Sequence, residues 1–293
     1  MMIAGMMSNP KCAFDCRMID QKNVELYKIN LSGIVTFFFK KPIDGMMVIK
    51  KILAFLAHPD DTDTYCANFL HALVDARKDI YLCTFTRGEQ GIGASRDPAK
   101  LAFSGARLGR IRTRELRRAA AFLGIDASHV LFLDILDATV PQNKRLAFQR
   151  ACDVIGRINP DLILMPEFAH GYYRHPDHVY AGMIAFIAAK QCSTRALPIL
   201  FYHSMRNNFY YPVKSKAFGK ETISFHASQA DFFYPFIYPA YANIEQVKNG
   251  ILHVKGFTRA EGFRISTTEK PQSPGVLARI VDRIFKVFAP KSK

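Results

Sequence analysis

Two short polar clusters carry residue types that could do chemistry: Ala57-His58-Pro59-Asp60-Asp61 and His175-Pro176-Asp177-His178. Imidazole and carboxylate together make a common divalent-metal pair, and three protein ligands with one open position form the usual hydrolytic site. In the first cluster, His58 and Asp61 can turn toward one point while Pro59 stiffens the turn between them. Asp60 is then a spare carboxylate beside that point, where a general base would take a proton from an activated water. In the second cluster, His178 completes the ligand set and His175 faces the substrate. Asp177 fixes the tautomer or charge of His175. Either cluster alone reads as a polar turn capping a helix. Two in one chain, each after a buried strand, read as a hydrolytic metal site.

Such clusters need a scaffold that ends strands at one place, and the pattern supplies it. From residue 48 onward, short β-rich runs alternate with helical patterns, which predicts an α/β fold with a mainly parallel sheet. Strands are expected at 48–57, 80–86, 130–133, 161–165 and 199–203, and helices at 65–76, 108–123, 143–158 and 178–190. The first cluster follows the first strand, and the second follows the fourth strand and its loop. In open α/β sheets the carboxyl ends of strands hold ligands. The long connection 87–105, rich in Gly, Arg and Ser, is expected to form part of the site. The segment from 203 to 250 is aromatic and shows no order.

The 293 residues are 49% hydrophobic and 22% charged, which excludes a disordered tail and suits one large domain with extensions. The expected division is an N-terminal extension at 1–45, a catalytic domain at 46–270 and a basic amphipathic C-terminal helix at 271–293. In that helix Val276, Leu277, Ile280, Val281, Ile284, Val287 and Phe288 form a stripe opposite Arg279, Arg283 and Lys286. It reads as packed on the core or as peripheral contact with a membrane surface. The six cysteines are scattered without a CxxC pair, which argues against a disulfide framework and for a reducing, cytoplasmic compartment. No apolar run approaches the ~20 residues that cross a bilayer. The formal charge of +15 favours an anionic partner. Residues 87–118 hold nine basic and three acidic residues, without the interleaved aromatics of a single-strand groove, so no nucleic acid is expected. Arg87, Arg96, Arg107, Arg110 and Arg112 read as a solvated helix face or as holders of an anionic aglycone, with Arg112 foremost.

The chain resembles the PIG-L/LmbE-type zinc-dependent de-N-acetylases. The resemblance rests on AHPDD, on Thr86-Arg87-Gly88-Glu89, on Arg112-x-x-Glu115-Leu116 and on HPDH. It covers residues 50–203, with weaker echoes in His226-x-Ser228-Gln229 and Glu261-Gly262-Phe263-Arg264. AHPDD with HPDH is specific in combination; the TRGE run alone is weak. The resemblance implies a Rossmann-like three-layer sandwich that binds one zinc and hydrolyses the acetamide of N-acetylglucosamine-containing small molecules or glycolipids. It makes His58, Asp61 and His178 the zinc ligands, Asp60 the base and His175 the group beside the oxyanion. It also places Arg87, Glu89 and Arg112 on the substrate side and Tyr173 near the reaction. The implied mechanism has a protonated His175, its charge supported by Asp177. Thr62 and Asp63 depart from the acid that many members carry directly after HPDD, which bears on the substrate and not on the ligands. Rival readings are hydrolysis of another amide or ester, or a basic protein that binds nucleic acid or a membrane surface.

Overall fold

In the computed structural model, which describes residues 26–27, 38–39, 49–91, 105–213, 216–229, 246–249, 253 and 258–265, the central strand is β3 (Lys51–Leu56). Its alternate side chains enter different cores: Ile52, Ala54 and Leu56 in one, Leu53 and Phe55 in the other. A strand that is apolar on both faces must be covered on both faces, as parallel sheets are. The first core is closed by α1 (Asp61–Tyr65), α2 (Ala67–Asp75) and α3 (Ala106–Phe122). The second is closed by α4 (Lys144–Ile158) and α5 (Pro176–Cys192). Residues Leu26–Tyr27 (β1) and Phe38–Phe39 (β2) form a separate antiparallel ladder.

The main sheet has seven strands in the order β5-β4-β3-β6-β7-β9-β8. Strands β4 (Asp79–Thr84), β5 (Val130–Phe132), β6 (Leu162–Pro166) and β7 (Ile199–Tyr202) run parallel to β3. The edge pair β8 (Phe209–Pro212) and β9 (Ala260–Ile265) is antiparallel. The expected α/β architecture, three layers around a mainly parallel sheet, is the one observed. The predicted helix at 65–76 differs: it begins at Asp61 and breaks at Cys66, whose φ of −148° is not helical. The aromatic segment after 203 contains β8, a helix α6 (Lys216–Ser224) and, beyond it, β9.

Chain order runs outward from β3 to β4 and β5, then crosses to β6 on the other side of β3. That reversal places the loops after β3 and β6 side by side, the switch point at which α/β sheets bind ligands. Helix α5 lies close on β6 because Gly182 packs against it: a Cβ there would stand 2.2 Å from the Pro166 carbonyl oxygen.

Three carboxylates tie this frame together. Asp161 Oδ2 accepts from the backbone N–H of Lys50 and of Lys51, both at 2.8 Å, and Arg195 Nη2 donates to Oδ1 at 2.5 Å. Burial opposes its ionisation, but these donors outweigh burial and hold its pKa below the ordinary carboxylate value. A depressed folded pKa gives stability that is complete above the unfolded value, ~3.9, and is lost as pH falls through the folded one. The difference in thermal midpoint between wild type and Asp161→Asn is expected to be widest above pH ~4 and to close in more acidic buffer; a difference that ignores pH would contradict this. Glu261 on β9 accepts from Asn68 N at 2.9 Å and Phe69 N at 2.8 Å, capping α2 from a distance in sequence. Glu167, after β6, is fully buried and takes a two-pronged contact from Arg264 on β9. Glu167→Gln leaves that guanidinium without its counter-charge, so a loss of about 3 kcal/mol in urea unfolding is expected.

Cys152 and Cys192 form a disulfide between α4 and α5. The scattered cysteine pattern argued against such a framework, and it misses this bridge because helix packing alone joins residues 40 apart. The bridge also removes the support that pattern lent to a reducing compartment. No helix among the described residues is long and apolar enough to cross a membrane. The expected extension at 1–45, apart from β1 and β2, and the helix at 271–293 lie outside the described residues, as does Arg96.

Candidate metal centre and active site

The loop after β3 and the start of α5 bring three ligand atoms to one point. His58 Nδ1 lies 3.0 Å from His178 Nε2, and His178 Nε2 lies 3.3 Å from Asp61 Oδ1. Bonds of about 2.0–2.1 Å to a tetrahedral zinc would set ligand atoms roughly 3.4 Å apart, so these spacings suit a shared cation. The other oxygen of Asp61 is already occupied: Oδ2 accepts from Ala57 N at 2.7 Å, His58 N at 3.2 Å and Tyr202 Oη at 3.3 Å. Oδ1 is thereby aimed at the other two ligands. Burial lifts the Asp61 carboxyl to about 7, against the pull of His58 and with the push of Asp60. Burial also holds His178 well below the ordinary histidine value, reinforced by His58 and His203. Two imidazole nitrogens and one carboxylate oxygen, buried and turned to one point, are the donor set that a divalent cation takes; the residues fit a metal.

A second group, His58 with His175 and Asp177, also lies close enough to share an ion. Its donor atoms have other work. His58 Nε2 bonds Asp137 Oδ1 at 3.0 Å, while Asp177 Oδ1 and Oδ2 accept from Val140 N and Ala138 N. Burial would lower the His58 pKa, but Asp137, Asp177 and Asp61 outweigh it and raise it. An Nε2–H donated to Asp137 leaves Nδ1 for a metal, the histidine–carboxylate pairing that orients ligands.

Asp60 stands beside the cluster with Oδ1 accepting from Arg112 Nη2 at 2.7 Å, in a pair whose side chains are 4% and 2% exposed. Arg112 also donates to the Gly88 carbonyl at 3.1 Å. Gly88 permits this approach: its φ is +70°, and a Cβ there would sit 2.2 Å from the guanidinium. His175 caps α5, its Nδ1 accepting from Asp177 N at 3.2 Å, with Pro176 in the first turn. Burial, with the charge of His58, pushes His175 down to about 4. The neutral ring then carries its proton on Nε2. This differs from the protonated His175 that the resemblance implied, since Nδ1 is taken up in accepting the Asp177 N–H. Tyr173 packs edge-on against His178 at 4.5 Å, and burial raises its pKa.

Residues 53–189 match the family model PIG-L, GlcNAc-PI de-N-acetylase. That stretch is similar to the PIG-L family. The diacetylchitobiose deacetylase of Thermococcus kodakarensis is 29% identical over 150 residues, 51% of this chain and 52% of that protein. A 1D-myo-inositol 2-acetamido-2-deoxy-alpha-D-glucopyranoside deacetylase of Mycobacterium sp. is 27% identical over 184 residues, 58% of this chain and 56% of that protein. The chain thus spans about half the length of these curated relatives. In fold, it is similar to the N,N'-diacetylchitobiose deacetylase from Pyrococcus horikoshii, with TM-score 0.66 at 21% identity, covering 74% of this chain and 84% of that one.

Within this matched stretch, the residues expected on the substrate side contact the protein itself. Arg87 donates to Asp134 at 2.7 Å and Thr113 Oγ1 at 3.0 Å and lies over the Phe132 ring, bracing the 87–91 loop against α3. Glu89 packs over Gly109. Arg112 meets Asp60. The sequence reading also missed Asp137, an aspartate just past β5 that joins His58 Nε2 to Gln90 N at 2.8 Å. Its place at the carboxyl end of a parallel strand was the available signal.

Chain beyond the PIG-L match supports the centre too. His226 Nε2 meets Asp63 Oδ2 at 2.8 Å, and Ser228 N and Oγ meet Glu115. Burial works against a charged His226, but Asp63 outweighs it and raises its pKa. The two weak sequence echoes, around 226–229 and 261–264, are therefore clamps that hold α1, α2, α3 and β6 in place.

Proposed function

We propose that the chain is a zinc-dependent hydrolase that removes the N-acetyl group from an N-acetylglucosamine-containing molecule. The observation that carries this reading is the convergence of His58 Nδ1, Asp61 Oδ1 and His178 Nε2 on one point with the Asp60 carboxylate beside it. The family match and two relatives whose names share an acetamido sugar but differ in aglycone support it. A zinc ion held by these ligands would polarise an amide carbonyl and make water acidic near neutral pH.

The remaining steps belong to side chains. Asp60, held by Arg112, takes a proton from the attacking water as the new C–O bond forms. His175, neutral with its proton on Nε2, donates a hydrogen bond to the developing oxyanion. The proton on Asp60 passes to the amide nitrogen, the C–N bond breaks, and acetate and a free amine leave. Tyr173 excludes water from the His178 side and Asp177 holds the cap that aims His175. The net positive charge favours conjugates with an anionic aglycone, small or lipid-linked, and the amphipathic 276–288 segment, with Arg279, Arg283 and Lys286 opposite its apolar stripe, would give peripheral contact with a membrane carrying the latter.

The deciding experiment is acetate release from neutral and anionic N-acetylglucosamine conjugates by metal-stripped and zinc-restored protein. Zinc-dependent release supports the proposal, and the anionic-to-neutral ratio reports the aglycone. A chain that binds one zinc yet releases acetate from none of them sinks the substrate and moves the site to another amide or ester.

A further inference from the structure

His203, just past β7, has no role in the chemistry above, yet it is the most unusual side chain near the centre. Its φ is +48°, in the left-handed region that non-glycine residues occupy at a cost and that clusters where function requires it. It is 2% exposed, and neither ring nitrogen has a hydrogen-bond partner among the described residues. A neutral imidazole has one N–H to donate and one bare nitrogen to accept. Tyr65, Tyr172 and Tyr202 pack around it with centroids 5.2, 5.7 and 5.2 Å away, which sets the ring plane. The fourth ring against it belongs to His178, at 5.5 Å.

His178 has the matching deficit. Its Nε2 faces His58 and Asp61 and must be bare to bind a metal, which puts the proton of the neutral ring on Nδ1. That Nδ1 is buried and has no partner among the described residues. Histidine ligands almost always donate their outer N–H, as His58 does to Asp137. His203 also lines a polar cavity of about 20 Å³ with Thr64, Asn207 and Glu261, room for about one water, and Asn207 Oδ1 has no partner among the described residues either.

We propose that His203 is the positioning residue for His178. Through one ordered water its bare nitrogen accepts the His178 Nδ1 proton, while its own N–H bonds into the cavity beside Asn207. The arrangement fixes the tautomer and tilt of His178 and so presents Nε2 to the metal. It rests on the metal-site reading above, but not on the identity of the substrate.

The test compares His203→Phe with His203→Asn in the full chain. Asparagine tolerates the left-handed backbone and can both donate and accept. Zn²⁺ affinity is read by competition with a chromophoric chelator, the Co²⁺ form by its d–d absorption, and the metal-free fold by its thermal midpoint. The phenylalanine variant is expected to bind Zn²⁺ about 10–100-fold more weakly with an altered Co²⁺ spectrum. The asparagine variant should recover most of both, at similar metal-free midpoints. Unchanged affinity in the phenylalanine variant, or equal loss in both, overturns the role of His203. A measurement that needs no variant is the ring ¹H–¹⁵N spectrum of the zinc-loaded wild type, where His178 must carry an exchange-protected Nδ1 proton; a solvent-exchanging one overturns the proposal. A wild type that takes up no Zn²⁺ removes the metal site itself, a failure distinct from either.

Discussion

His178→Ala is expected to abolish stoichiometric metal retention, a drop larger than the ~10–100-fold that loss of an outer-sphere partner costs. Its Nε2 is the atom common to the short contacts with His58 and Asp61, so removing it leaves two ligands for a cation that prefers four-coordinate sites. The same experiment separates the two candidate clusters. His175→Ala is expected to keep its metal, because the competing set of His58, His175 and Asp177 has its donor atoms committed to Asp137 and to the 138–140 backbone. Metal content by elemental analysis after dialysis decides the matter. Loss of metal on changing His175 with retention on changing His178 would reverse the assignment.

The second large effect is on turnover. Asp60→Asn removes the proton acceptor and is expected to lower kcat by about 10²–10⁴ while metal stays bound. It should also cost stability, because Arg112 is 2% exposed and would lose its carboxylate. Two consequences of one change invite confusion, and Arg112→Met resolves them. The double variant should regain much of the thermal midpoint lost by Asp60→Asn, since the buried charge is gone, without regaining activity. Turnover that survives in Asp60→Asn would remove the base role, and recovery of activity in the double variant would mean that the pair serves folding alone.

Much of this centre was legible in residue order because parallel sheets bury their strands and present their carboxyl ends. An apolar run ending in AHPDD, and another followed by HPDH, place histidines and carboxylates where such sheets bind ligands. Local pattern therefore carried the α/β class, the succession of elements from 48 to 203, and which histidines and aspartates the fold gathers at the strand ends. It could not say which partner each would take. Arg112 faces inward to Asp60, and Arg87 turns to Asp134, because the turn at Gly88 and the docking of α3 decide which basic groups are buried.

What tertiary structure alone decided is the pairing of groups far apart in the chain. Asp137 meets His58 across 79 residues, Glu261 caps α2 across 193, and Cys152 finds Cys192 across two helices. Periodicity reports which face of an element is buried, but such contacts depend on strand order, and here that order reverses between β5 and β6. His203 shows the limit most plainly. In sequence it is one residue past a strand; in the fold its backbone is left-handed, its ring is walled by three tyrosines, and it stands against His178.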